Sequence, residues 1–380
     1  MTSDGMGRME TGFEIFLSVA PGLETALRDE VAEASFASPR VVPGSGVAIT
    51  GGWPEVWRAN LVLRGAARVL VRVGAFRAMH LAQLDKRARK FDWAAVLRPD
   101  VPVRVEATCR KSRIYHDRAA AQRVERAIAE TLGAPISPKA ELRVMVRIED
   151  DLCTISLDTS GEPLHRRGHK AAVGKAPMRE TLAALFLRQC GFTGTEPVID
   201  PMCGSGTFPI EAAEIAAHLP PGRDREFAFM QFAAFDAGAY ADLRGAALAT
   251  ATTPDIVFHG YDRDAGAVQN ARANAERAGV GALTAFEQQP IAELKRPDGP
   301  PGLVIVNPPY GARIGNKKLL YALHATLGQV LRERFSGWRV GIITSEGGLA
   351  RATDLPFLPP GPPVAHGGLK VRLYQTGPLD

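Results

Sequence analysis

The pattern of apolar and polar positions changes character once along this chain. Over the first 160 residues, short apolar runs alternate with amphipathic ones. FEIFLSV (13–19) reads as a strand. Residues 21–34 follow as a helix, with Pro21 in the first turn and Leu23, Leu27 and Val31 on one stripe. Apolar runs at 69–73, 103–107, 142–148 and 153–157 predict further strands. Residues 117–132 predict an amphipathic helix with Asp117 placed to cap it. Strands with interleaved helices and no internal repeat predict small α+β units.

SGEPLHRRGHKAAVGKAP (160–177) breaks that rhythm and reads as a linker or an ordered crossing. Beyond it the units lengthen. Helices are expected at 178–190, 207–218, 265–278 and 319–335, alternating with strands at 198–200, 256–261, 303–306 and 339–344. That alternation predicts a parallel, doubly wound sheet, which receives ligands at the carboxyl ends of its strands. The Pro/Gly-rich run 355–368 is expected to be a loop, and 369–375 a final edge strand.

Composition narrows the class. The chain has 380 residues, 46% hydrophobic and 23% charged, enough for two or three globular domains. No apolar stretch approaches the ~20 residues of a membrane helix, and the first ten residues carry no export signal. The four cysteines (Cys109, Cys153, Cys190, Cys203) show neither CxxC nor His/Cys metal spacing. They fit a reduced, cytoplasmic protein without a metal. Charge is uneven: residues 1–175 hold 27 Lys/Arg against 21 Asp/Glu, and the rest 19 against 20. Residues 58–126 alone hold 17 basic and 6 acidic residues. This pattern suits either a polyanion partner or solvated arginine-rich faces.

Three stretches carry chemistry. In VIDPMCGSGTFPIEAAEIA (198–216) a strand ends at Asp200 and runs through Gly204 and Gly206 into a helix. Glycines permit a tight turn and a close ligand approach, and the helix start can receive a carboxylate. The spacing is neither GxGxxG nor a P-loop. HGYDRDAGAV (259–268) places Asp262 at the end of the next strand, where a carboxylate can accept both hydroxyls of a ribose. Asp264 is the better helix cap. LVIVNPPYG (303–311) ends a strand on Asn307, Pro308, Pro309 and Tyr310, a rigid extended turn offering acceptors and a ring.

In this order the three stretches resemble those of class I S-adenosylmethionine-dependent methyltransferases. DPMCGSGT looks like the cofactor loop, YDRD the ribose-binding turn, and NPPY the motif of enzymes that methylate an amino group conjugated to a π system. GEPLHRRGHK, APMRETLAA and REFAFMQFAAFDAGAY resemble bacterial THUMP-domain RNA methyltransferases, as do APGLETALRDE and KFDWAAVL near the front. The strongest likeness, over 161–344, is to enzymes that modify guanine N2 in large-subunit rRNA. This implies a ferredoxin-like segment (1–60), a THUMP domain (61–160), a crossing (161–178) and a Rossmann-like methyltransferase domain (179–380).

The resemblance implies S-adenosylmethionine as cofactor, held by Thr181, Asp200, Met202, Gly204, Gly206, Thr207, Asp262, Arg263, Gln289 and Asn307. It implies Asn307, Pro308 and Tyr310 as catalytic, with Asn307 Oδ1 and the Pro308 carbonyl accepting the amine and Tyr310 stacking on an extruded base. One departure stands out: where the family places an Asp for the adenine amine, AFEQQPIAEL (285–294) has Pro290, and Gln288 or Gln289 could supply a side-chain or backbone contact instead. RNA contacts are expected at Lys86, Arg87, Arg89, Lys90, Arg110, Lys111 and Arg113, and at Arg166 and Arg167. Cys203 is read as packing, and His165 and His169 as structural or RNA-facing. NPPY leaves tRNA guanine, DNA adenine and protein glutamine open as alternative targets; a non-enzymatic RNA-binding role is the third class.

Overall fold

The structure is a computed structural model that describes residues 12–170, 178–310 and 317–380. It is built on two seven-stranded sheets. The first uses β1 (Phe13–Ser18), α1 (Glu24–Glu33), β2 (Arg40–Val42), β3 (Gly46–Gly51), α2 (Trp53–Val62) and β4 (Arg68–Arg77). It continues with α3 (Leu81–Arg89), β5 (Val103–Arg110), α4 (Asp117–Leu132), β6 (Leu142–Glu149) and β7 (Leu152–Asp158). The strand order is β2-β3-β1-β4-β7-β6-β5, with β5 and β6 parallel and the other pairs antiparallel.

The ten-residue β4 makes this one sheet rather than two. Its first half pairs with β1 and nearly its whole length with β7, with a register shift between Arg72 and Gly74. A bulge of this kind bends the strand and increases its twist. A Cβ on Gly74 would lie 2.8 Å from the Phe91 ring, so the bend is tightly packed.

The second sheet uses α5 (Glu180–Gln189), β8 (Val198–Asp200), α6 (Thr207–Ala216), α7 (Ala237–Leu248), β9 (Phe258–Asp262), α8 (Ala265–Arg277) and β10 (Thr284–Gln288). It is completed by β11 (Leu303–Val306), α9 (Lys317–Arg334), β12 (Arg339–Thr344), α10 (Gly347–Ala352), β13 (Val364–His366) and β14 (Leu369–Gln375). The order is β10-β9-β8-β11-β12-β14-β13, with β8 to β12 parallel and β14 antiparallel to β12. Chain order reverses between β8 and β11, which opens a crevice at their carboxyl ends.

Three local expectations are corrected. The run 355–368 is not all loop, because Val364–His366 forms β13 around the turn at Gly367 and Gly368, whose φ angles are 56° and 83°. Strand β14 is consequently interior, and β13 takes the edge. Asp117 does not cap α4: it is the first helical residue, and its carboxylate accepts the Cys109 N–H at 2.7 Å.

The two sheets share one hydrophobic core. Trp53 and Trp57 of α2 pack against Phe232, Phe229 and Phe235, rings of the aromatic stretch before α7. Beside them Arg64 donates to Glu211 at 2.8 Å and Glu214 at 3.3 Å on α6, both fully buried. Arg223 joins Glu214 at 2.6 Å. Burial alone would raise the pKa of Glu214, but Arg64 and Arg223 hold it below the usual carboxylate range. A cation from the first sheet's domain is thus clamped to the helix that follows the glycine turn.

Candidate active site

The three chemical stretches arrive at the same edge of the second sheet. Asp200 ends β8, Asp262 ends β9, Gln288 ends β10, and Asn307 follows β11. The strands are parallel and three of them end on these polar residues, so the sheet brings the groups to one edge.

The glycine turn is a scaffold of backbone hydrogen bonds. Cys203 N–H donates to the Tyr261 carbonyl at 2.8 Å, and Gly204 N–H to Asp262 Oδ2 at 3.0 Å. Asp262 Oδ1 accepts the Asp264 N–H at 3.0 Å, and Asp264 caps α8 through the Ala267 N–H at 2.8 Å. Asp262 is thereby oriented before any ligand binds. Gly206 starts α6 at φ 84°, where a Cβ would come within 3.0 Å of Ala271 and Phe286. Only glycine suits that conformation and that spacing.

Asp200 is buried and accepts the Met202 N–H at 3.0 Å. Burial raises its pKa to about 8, the Met202 bond opposes this, and the charge of Asp262 adds to it. The Cys203 thiol is likewise pushed up, first by burial and then by the two carboxylates, so it packs as a neutral group.

Two buried acceptors at this edge lack a donor among the described residues: Asn307 Oδ1 and Gln289 Oε1. Such groups cost ~1–3 kcal/mol when left unpaired, so a ligand that donates to them is favoured. Gln289 is held in place by its N–H, which donates to the Asp262 carbonyl at 2.9 Å. Pro290, at the position expected for an acid, is exposed and cannot replace it. The preformed glycine turn, the oriented Asp262 and these two acceptors fit a nucleoside carrying an amino-acid chain. Thr181 and Thr207 are buried, on α5 and at the start of α6; Met202 follows β8 and Pro308 follows β11; and Arg263 is exposed with its carbonyl bound to Gln288 Nε2. Tyr310 is half-buried against the core.

Sequence reasoning missed Lys170. Its Nζ donates to the Met178 carbonyl at 2.9 Å and Thr207 Oγ1 at 2.8 Å, and pairs with Glu180 at 3.2 Å. It ties the crossing to the first residue of α6. The only sequence signal was its place in a basic run, which does not separate it from its neighbours.

The expected RNA-facing cations divide. Lys86, Arg87, Lys90, Arg110, Lys111 and Arg113 are exposed, whereas Arg89 is half-buried and bound to Asp85 and Glu130. Arg166 is exposed beside Glu162. Arg167 is a correction: it is 3% exposed, pairs with Glu211 and donates to the Leu164 and Arg64 carbonyls, so it faces the interior. His169 is buried too. No group of three or more His, Cys, Asp or Glu suited to a metal occurs among the described residues, and no helix there is long and apolar enough to cross a membrane.

Comparison with known proteins gives these features a family. Residues 14–70 match the RlmL ferredoxin-like domain, 78–158 the THUMP domain, and 167–355 the RMKL-like methyltransferase domain. A Listeria monocytogenes protein, described as a predicted N6-adenine-specific DNA methylase, is 30% identical over 97% of both chains, with a TM-score of 0.87. The putative methyltransferase SMU.472, crystallised with SAH, is 26% identical over 98% of this chain and 100% of its own, also at 0.87. TrmN from Thermus thermophilus shares the fold at 21% identity and a TM-score of 0.76, over 97% of this chain and 100% of its own. The chain therefore belongs to the THUMP-containing class I methyltransferases that resemble RlmL, enzymes that use S-adenosylmethionine.

Proposed function

We propose that this enzyme methylates the exocyclic N2 amine of a guanine in RNA, with large-subunit rRNA as its substrate. The observation that carries the amine assignment is the buried Asn307 Oδ1 just after β11, which has no donor among the described residues. The THUMP match and the basic front half support RNA. The RlmL-like front domain supports the ribosomal reading over the tRNA one. Adenine N6 in DNA, the target ascribed to the Listeria relative, competes for the same acceptor set.

S-adenosylmethionine, when bound, supplies an electrophilic methyl group. In this reading Asp262 holds its ribose hydroxyls, Gln289 Oε1 accepts from its adenine amine, and Gly204, Gly206, Thr207, Asp200, Met202, Thr181 and Arg263 frame the rest. Asn307 Oδ1 and the Pro308 carbonyl each accept one N–H of the target amine. This draws the nitrogen lone pair out of conjugation with the ring and aims it. Pro308 and Pro309 fix both acceptors beforehand, which is preorganisation. Tyr310 stacks on the extruded base. No strong base is required, because the nitrogen's proton becomes acidic once the new N–C bond forms.

Asn307→Ala is expected to lower methyl transfer by at least ~10²-fold, with a much smaller loss of SAH affinity measured by calorimetry. Turnover equal to that of the parent enzyme would refute this acceptor role.

A further inference from the structure

A cavity of about 1410 Å³ stands apart from the cofactor crevice. It lies between the two sheets, and its size exceeds the ~300–1,000 Å³ of small-molecule sites. One wall is the near end of the first sheet, formed by the starts of β4, β5 and β6 and the residues after β7. The facing wall holds Met178 and Arg179 beside the cofactor turn, and His366 and Gly367 of the β13–β14 turn. Thr344 of β12 pairs with Arg372, and β14 runs antiparallel, so that turn projects beyond the carboxyl ends of the parallel strands. The cavity therefore reaches towards the catalytic edge at Met178, Arg179 and the β13–β14 turn.

Its lining holds nine Lys/Arg against five Asp/Glu, and pairing leaves the excess positive. Arg68 and Arg143 share the one carboxylate of buried Asp158, and Lys170 pairs with Glu180. Lys139 and Arg179 are exposed with no carboxylate partner among the described residues, and Arg104 reaches Glu106 only at 3.6 Å. His165 reports the resulting field: burial and the charges of Arg179, Arg166, Arg167 and Lys170 lower its pKa to about 4.

We propose that this cleft seats the RNA strand flanking the target nucleotide, with Arg104, Lys139 and Arg179 meeting its phosphates. The inference rests on the RNA-methylating reading above and adds the route by which the strand reaches Asn307. The exposed cations at Arg110–Arg113 lie at the opposite end of β5, roughly 20 Å away at ~3.3 Å per residue, and meet a more distant part of the RNA. Phosphate contacts of this kind position RNA without reading its sequence.

The test compares two triple variants of the full chain, checked for folding by circular dichroism. The cleft variant is Arg104→Glu, Lys139→Glu and Arg179→Glu; the distal variant is Arg110→Glu, Lys111→Glu and Arg113→Glu. The probes are a fluorescein-labelled oligouridylate and rRNA from a strain lacking the protein. The cleft variant is expected to bind at least ~10-fold more weakly, with a salt slope shallower by about 2 and a raised KM for rRNA, while SAH affinity holds. The corresponding Gln triple should show the same trend at smaller size if charge reversal disturbs folding. Parent-like affinity and salt slope in a folded cleft variant would overturn the cleft, as would polyglutamate competing better than RNA. Absence of RNA methylation by the unaltered enzyme would instead overturn the parent reading, and this one with it.

Discussion

The two sheets have the same number of strands and put it to different uses. In the second, five parallel strands end at one edge, so Asp200, Asp262, Gln288 and Asn307 converge there although they are far apart in sequence. In the first, neighbouring strands mostly run in opposite directions, so its polar residues are shared between two ends. One end carries exposed Arg110, Lys111 and Arg113, the other Arg68, Arg104 and Arg143 facing the second sheet. A parallel sheet concentrates chemistry, while this mixed one distributes charge along a surface long enough for a polymer.

The comparison can be broken first at the joint. Arg64→Ala removes the cation that links the first domain to α6 and leaves buried Glu211 with Arg167 and Glu214 with Arg223 as their remaining ion-pair partners. A loss of about 1.5–3 kcal/mol in unfolding free energy is expected, read from the denaturant midpoint. A change within ~0.5 kcal/mol would mean that the aromatic packing alone holds the domains together.

A smaller effect sharpens the second sheet's side of the comparison. Asp200 has a folded pKa of about 8 against ~3.9 in the unfolded chain. Its contribution to stability is therefore full below about pH 4 and is lost as pH rises towards 8. Between pH 5 and 8 the melting temperature of the parent protein should fall relative to that of Asp200→Asn. Parallel curves for the two proteins would show that burial does not hold this carboxyl neutral.

Much of the second sheet was legible in the sequence because its motifs combine local chemistry with a strand-to-loop boundary. The Arg339–Thr344 strand and the Asp264 cap fall where the pattern places them. The first sheet was less legible: β2, β3, α2 and α3 escaped notice, and nothing local says that β4 joins both halves. Charge misled at Arg167 for a related reason. Composition counts an arginine without showing whether a glutamate 44 residues away will bury it. Lys170 and Arg64 were invisible likewise, since their partners are set by the fold.

The central claim is methyl transfer to guanine N2 in rRNA. It is tested most directly by mass spectrometry of nucleosides from separated rRNA and tRNA of a strain lacking this protein. Loss of N2-methylguanosine from the large-subunit rRNA, restored by the parent gene and not by Asn307→Ala, is the result predicted. Unchanged N2-methylguanosine in rRNA would contradict it, and loss from tRNA alone would move the substrate there.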